Sequence, residues 1–171
     1  MTWTVPGAQP VDGPLTGPDR PILKGYLDFE RATLANICAG LTADQMAERP
    51  LPSSNLSLLG IVRHVAKVER TWFRIRAARE PIEPLYDPAL GKDHDFDDVD
   101  PADAEPALER WREECRLADE AAARLGPDAT FEHDGDTMSL GLVYTHMLAE
   151  YARHNGHADL LREAIDGVTG R

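Results

Sequence analysis

The sequence predicts an all-α fold, a four-helix bundle, and three observations predict it. Four long stretches carry helical apolar periodicity. No strand-rich region or internal repeat interrupts them. The connection between the second and third stretches is long enough to cross the bundle rather than turn tightly.

An arm comes first. Met1 to Arg20 is rich in Pro, Gly and Thr with little periodicity. It reads as an extended or loosely attached N-terminal segment (1–20) ahead of the bundle (21–167), with Trp3 and Val5 as candidate pins. The first helix is expected from about Pro21 to Ala39, with Asp19 as a cap and Pro21 in the first turn. Gly40 ends it, and Thr42 to Gln45 has the form of a capping box opening a short turn. The second helix begins near Ser57, where Leu58, Ile61, Val62, Val65, Val68, Trp72 and Ile75 recur at helical spacing. A Pro-containing loop follows from about Arg79 to Val99. The third helix opens at Asp100-Pro101 and runs to about Leu125. Ala129 to Met138, with Asp134-Gly135 inside it, reads as a small hairpin. The fourth helix covers roughly Ser139 to Ile165.

Composition narrows the function. The chain has 171 residues and 30 Asp plus Glu against 18 Lys plus Arg, a formal net charge of −12. Such a surface repels phosphate backbones and anionic lipid, so neither nucleic-acid nor membrane partners are expected. Two cysteines, Cys38 and Cys115, are no disulfide framework and read as buried structural thiols. Without a basic-then-apolar N-terminus or a long apolar run, a cytoplasmic location is expected.

The fourth helix carries the chemistry. Leu140, Val143, Met147, Leu161 and Ile165 fall on one stripe, and Glu150 and His154 fall in the middle of it. Four residues apart, their side chains project together. A carboxylate among core residues costs several kcal/mol (on the order of a small domain's net stability) unless paired or ligating a metal. His146 and His157 flank the stripe. On the second helix, His64 borders the face made by Ile61, Val65 and Val68. Two imidazoles and a carboxylate converging from two helices suit Zn²⁺, Fe²⁺, Ni²⁺ or Mn²⁺ and leave coordination positions open. A hydrogen-bonded polar plug, or a pair facing water at a bundle end, fits the same spacing.

The segment from His146 through Glu150, His154 and His157 to Glu163 resembles the fourth-helix signature of the DinB superfamily, in particular its actinobacterial mini-circle protein branch. Pro52 to Phe73, containing His64 and Trp72, is similar to the second-helix signature of that branch. The resemblance runs from about residue 20 to 166. It implies an up-down-down-up bundle (DinB/YfiT-like), a homodimer, and a divalent metal. Many members use three histidines; here Glu150 takes one of those places between His64 and His154. The resulting set resembles that of the mycothiol-dependent maleylpyruvate isomerases, which hold zinc. The resemblance therefore implies a metal at His64, Glu150 and His154, with zinc first and nickel, iron or manganese as alternatives. Those isomerases carry a further C-terminal domain, which is not expected in a chain ending at Arg171.

A metal with open positions generates a nucleophile at neutral pH by lowering the pKa of a bound thiol or water. The leading reading is a metal-dependent thiol S-transferase or isomerase-like enzyme joining a small-molecule thiol to a small electrophile. The 15 Arg against 3 Lys fit a GC-rich actinobacterial source, in which the thiol cosubstrate would be mycothiol. Two other classes remain open: a metal-holding bundle that binds a ligand or partner without turnover, and a metal-dependent hydrolase. His157 and Arg153 are the candidate catalytic groups, with His146 a second candidate base. Arg153 either neutralises a substrate carboxylate or pairs with Asp159 or a nearby Glu. Asp93 to Asp100 departs from a calcium loop and reads as a solvated acidic loop able to cover the bundle mouth. His94 and His133 are expected to face solvent. Trp72 and Trp111 are expected in the core or dimer seam, with Trp72 also placed to line a substrate pocket.

Overall fold

A computed structural model describes residues 2–9, 11–91 and 93–169; Met1 and Pro10 of the arm lie outside the described residues. The protein is mostly helical. Helix α1 (Asp19–Cys38) is followed by a one-turn helix α2 (Ala43–Ala47) and by α3 (Leu58–Glu69). A π-helical segment, Arg70–Ala77, continues α3 without a break. A short helix α4 (His94–Asp97) sits in the long connection, and a 3₁₀ turn (Pro101–Asp103) leads into α5 (Ala104–Ala123). Strands β1 (Thr130–His133) and β2 (Asp136–Ser139) precede α6 (Leu140–Asp166).

Local chemistry sets these limits. Ser57 and Ser139 cap α3 and α6 by accepting from the backbone N–H of Gly60 and Leu142, which satisfies donors otherwise left orphaned at a helix start. Thr42 and Gln45 form the capping box of α2. The hairpin is the one foreseen, antiparallel with Phe131 opposite Met138. Its turn, Asp134-Gly135, takes positive φ at both residues, as a two-residue hairpin turn requires. Arginines close two helix C-termini. Arg162 donates to the carbonyls of Ile37 (2.5 Å) and Ala39 (2.9 Å) at the end of α1, and Arg20 donates to those of Ala122 and Leu125 at the end of α5.

The core lies where α1 packs on α6, α3 on α5, and α3 on α6. Leu27 and Leu34, Ile61 and Val65, Leu108 and Trp111, and Val143 and Met147 are its main members. The arm is pinned rather than loose. Val5 is buried and exchanges backbone hydrogen bonds with Gly40 and Leu41 (both 2.9 Å), and Thr4 bridges Thr42. No helix among the described residues is long and apolar enough to cross a membrane.

The π-helical segment decides what faces the site. Its backbone bonds reach one residue further back than an α-helix's, as Ala78 N–H to Phe73 O does at 2.9 Å. Arg70 and Arg74 leave one side to reach Glu114 on α5. Trp72 and Arg76 leave another, towards the hairpin and α6.

Candidate metal centre

His64 from α3 and Glu150 and His154 from α6 converge at the packing of those two helices. One ligand atom from each lies within 4.8 Å of the others. Glu150 Oε2 stands 3.3 Å from His64 Nε2 and 3.5 Å from His154 Nε2. His154 is buried, while His64 and Glu150 are half-buried, so the cluster is dry on one side and reachable on the other.

The protonation of the cluster follows from its neighbours. Asp95 Oδ2 accepts from His64 Nδ1 at 2.7 Å, and Lys67 Nζ donates to Asp95 Oδ1 at 2.8 Å. Burial pushes the Asp95 carboxyl up, but the hydrogen bonds from His64 and Lys67 outweigh it and hold the group below the usual carboxylate value. An ionised Asp95 can only accept, so His64 carries a proton at Nδ1 and turns Nε2 towards Glu150. A carboxylate holding the far nitrogen of an imidazole is the usual outer support of a metal-ligating histidine. Burial and the neighbouring His64 push His154 down to about 4, leaving it neutral at pH 7. Burial raises Glu150 while the imidazoles of His64, His146 and His154 lower it, and the balance keeps it ionised. Two nitrogen donors and a carboxylate oxygen thus point at one another, and a shared proton or a cation must sit among them. The set fits a divalent cation. The buried Nδ1 of His154 has no partner among the described residues.

The acidic connection is solvated only in part: Asp93, Asp97, Asp98 and Asp100 are exposed, as its composition suggests, but Asp95 and Phe96 turn inward. Asp95 is 1% exposed and Phe96 is buried. The reason is a set of cations beneath the backbone. Arg49 donates to the carbonyls of Phe96 (3.0 Å) and Asp97 (2.7 Å), and Arg63 to that of Asp98. Gly60 permits the approach. A Cβ there would lie 3.3 Å from the Cα and ring of Phe96, whose ring stacks on His64 with centroids 4.8 Å apart. The sequence signal available was an aromatic residue inside a run of aspartates.

The other candidates fall around the rim. His146 Nε2 is 3.7 Å from Glu150 Oε1, too long for a hydrogen bond. Its ring stands 4.1 Å from that of Trp72, and burial lowers its pKa. Arg153 is exposed, and its nearest carboxylate is Glu150 at 4.0 Å rather than Asp159. The His157 ring meets that of His154 edge-on at 5.5 Å, with a buried Nδ1 that has no partner among the described residues. His133 does not simply face solvent: its ring lies 6.4 Å from Trp72 and its Nε2 3.3 Å from Asp134. His94 is half-buried with Tyr86 6.1 Å away. Trp111 is a core residue, donating to Tyr151 Oη at 2.8 Å.

A further buried carboxylate, not foreseen from the sequence, lies five residues beyond His64. Glu69 is fully buried and accepts from Arg31 Nε and Nη2 (both 2.7 Å), from Tyr151 Oη (2.9 Å) and from Cys115 Sγ (3.6 Å). Arg31 lies between Leu27 and Leu34 on the buried face of α1, a position that could have signalled the pair. Burial raises the thiols of Cys38, to about 12, and Cys115, which leaves both unreactive at neutral pH. A cavity of about 310 Å³ bounded by Ala8, Arg31, Trp111 and Cys115 adjoins this cluster rather than the triad.

Comparison with known proteins identifies the family. The mycothiol-S-transferase family matches residues 22–167, and the chain belongs to that family, within the DinB-like superfamily that its helix signatures resemble. Comparisons with curated proteins and with solved structures gave no match.

Proposed function

We propose that this member of the mycothiol-S-transferase family is a divalent-metal-dependent enzyme that transfers the sulfur of mycothiol to a small electrophile. The carrying observation is the convergence of His64, Glu150 and His154 within 4.8 Å, in a chain of that family. These residues would hold the metal. Zinc suits two imidazoles and a carboxylate best, and nickel, iron or manganese accept the same donors. A divalent cation so held would lower the pKa of the thiol and make the thiolate available at neutral pH.

The remaining work falls to the chain's own side chains. Asp95 keeps the proton on His64 Nδ1, so that Nε2 remains a donor atom. Phe96, stacked on His64, keeps water from that side of the imidazole. Burial holds His154 neutral and available as a ligand. His157 is the proposed acceptor for the proton leaving the thiol. In the transfer the sulfur forms a bond to the electrophilic carbon, and the leaving group departs with its bonding pair.

The test is elemental analysis of protein purified without a polyhistidine tag, beside His154→Ala, followed by thiol consumption against a panel of electrophiles. Stoichiometric metal in the native protein, loss in the variant and metal-dependent thiol consumption are expected. Equal metal in both proteins would sink the ligand set. Turnover of esters or amides without thiol would make the protein a hydrolase, and bound metal with no turnover would make it a binding bundle.

A further inference from the structure

The π-helical segment contributes three arginines, and they differ in their partners. Arg70 donates to Glu114 (2.7 Å), and Arg74 to Glu114 and Glu80 (both 2.8 Å). Arg76 is half-buried, yet among the described residues no carboxylate or carbonyl accepts from it. It lies over the Trp72 ring at 4.2 Å from the centroid, and burial pushes its pKa down. Asp134 is the nearest acidic influence, but its carboxylate is 84% exposed and forms no ion pair with Arg76. In a chain with 30 acidic against 18 basic residues, a half-buried arginine without an acceptor is out of place. The other half-buried or buried arginines, such as Arg31, Arg63 and Arg162, all have one.

The position matters as much as the vacancy. The Trp72 ring contacts the His146 ring at 4.1 Å, and His146 Nε2 is 3.7 Å from Glu150. Arg76 therefore stands two side chains away from the triad, on its reachable rim. A guanidinium that lies over an indole spends none of its N–H groups on a hydrogen bond there, and its fork matches a carboxylate in bidentate fashion. One uncompensated cation matches one negative charge.

We propose that Arg76, held by Trp72, is the anchor for a carboxylate on the electrophilic substrate, so that this enzyme acts on anionic electrophiles. The substrate assignment rests on the S-transferase reading above; the anion site does not. With the sulfur at the triad, the anchored carboxylate would hold the electrophilic carbon alongside the Trp72 and His146 rings that lead from Arg76 to Glu150.

The test has two arms on the metal-loaded protein. The first is calorimetric binding of benzoate and of its neutral isostere benzamide, with no thiol present. Arg76→Gln should weaken benzoate on the order of ten- to a hundred-fold, the loss of a charged hydrogen-bonded pair. Benzamide should not respond, and Arg79→Gln, an exposed neighbour that removes the same charge, should leave benzoate unchanged. Arg76→Lys, which keeps the charge without the fork, should fall between. Benzoate binding that is absent from the wild type, or equal in wild type and Arg76→Gln, overturns the anchor. The second arm is mycothiol consumption with 4-(chloromethyl)benzoate against 4-(chloromethyl)benzamide, in which a C–S bond replaces C–Cl and chloride leaves. Preference for the benzoate in kcat/KM, abolished by Arg76→Gln, is expected. Arg76-dependent benzoate binding without any thiol consumption would remove the transferase reading and leave the anion site standing. Equal turnover of both compounds by wild type and Arg76→Gln would do the reverse.

Discussion

Glu69 and Glu150 are both carboxylates placed against the packed helices, and the protein treats them in opposite ways. Glu69 receives a bidentate arginine, a phenol and a thiol. Its charge is neutralised by a fixed cation, and its lone pairs are spoken for. Glu150 receives imidazoles, one of them kept neutral by burial, and its nearest arginine is 64% exposed at 4.0 Å. A carboxylate completed by the protein is a structural joint. One surrounded by donor atoms, with only an exposed arginine 4.0 Å away, has room for the cation proposed above. His64 and Glu69 sit on the same helix, and Glu150 and Tyr151 are adjacent, so the two uses alternate along one helix–helix seam.

The comparison breaks most directly by removing each carboxylate. Glu69→Ala strips the buried Arg31 of its bidentate partner, leaving it only the less buried Asp28 (3.1 Å) and Asp119 (2.9 Å), and should destabilise the fold by about 3 kcal/mol in urea unfolding, the low end for a broken buried pair. Glu150→Gln should cost the metal-free protein under about 1 kcal/mol, because no fixed cation loses its partner, while abolishing metal retention. Similar losses in the two variants would erase the distinction.

Acid should act on the triad next. An unfolded histidine binds its proton near its ordinary value of about 6.5, but His154 in the fold does so only at about 4. Between those values the unfolded chain holds the extra proton, so lowering pH favours unfolding. The metal-free protein should lose on the order of 3 kcal/mol from this group as pH falls through that window. Unfolding free energies measured against pH for wild type and His154→Gln should diverge there, and parallel curves would refute the assignment.

A smaller effect probes the outer support. Asp95→Asn keeps the shape but removes the charge that fixes His64, and metal affinity measured against a chelator should fall about 10- to 100-fold. An unchanged affinity would confine Asp95 to its ion pair with Lys67. Gly60→Ala presses on Phe96 and should cost about 1 kcal/mol, the low end for overpacking, with Asp95 displaced and metal weakened in step. The smallest change expected is Arg153→Ala, within about 0.5 kcal/mol in stability.

The sequence by itself determined the helices and half of the site. Periodicity placed α3 and α6, Ser57 and Ser139 began them, and Asp134-Gly135 made the hairpin turn. The placement of Glu150 and His154 within an apolar stripe needed only the 3.6-residue repeat, because neighbours on one helix share a face. Only tertiary structure decided which charges meet. Asp95 lies 31 residues from His64, and Arg31 lies 38 from Glu69, so no local repeat links them. Which aspartate of an acidic run turns inward depends on the cations beneath it, here Lys67 at the Asp95 carboxylate with Arg49 and Arg63 holding the backbone beside it. Composition likewise counts charges without saying which are matched. A net charge of −12 gave no hint that an arginine beside the site would have no acceptor among the described residues. Pairing over long chain separations is fixed by helix packing, and it is there that one carboxylate is matched by an arginine and another is left among imidazoles.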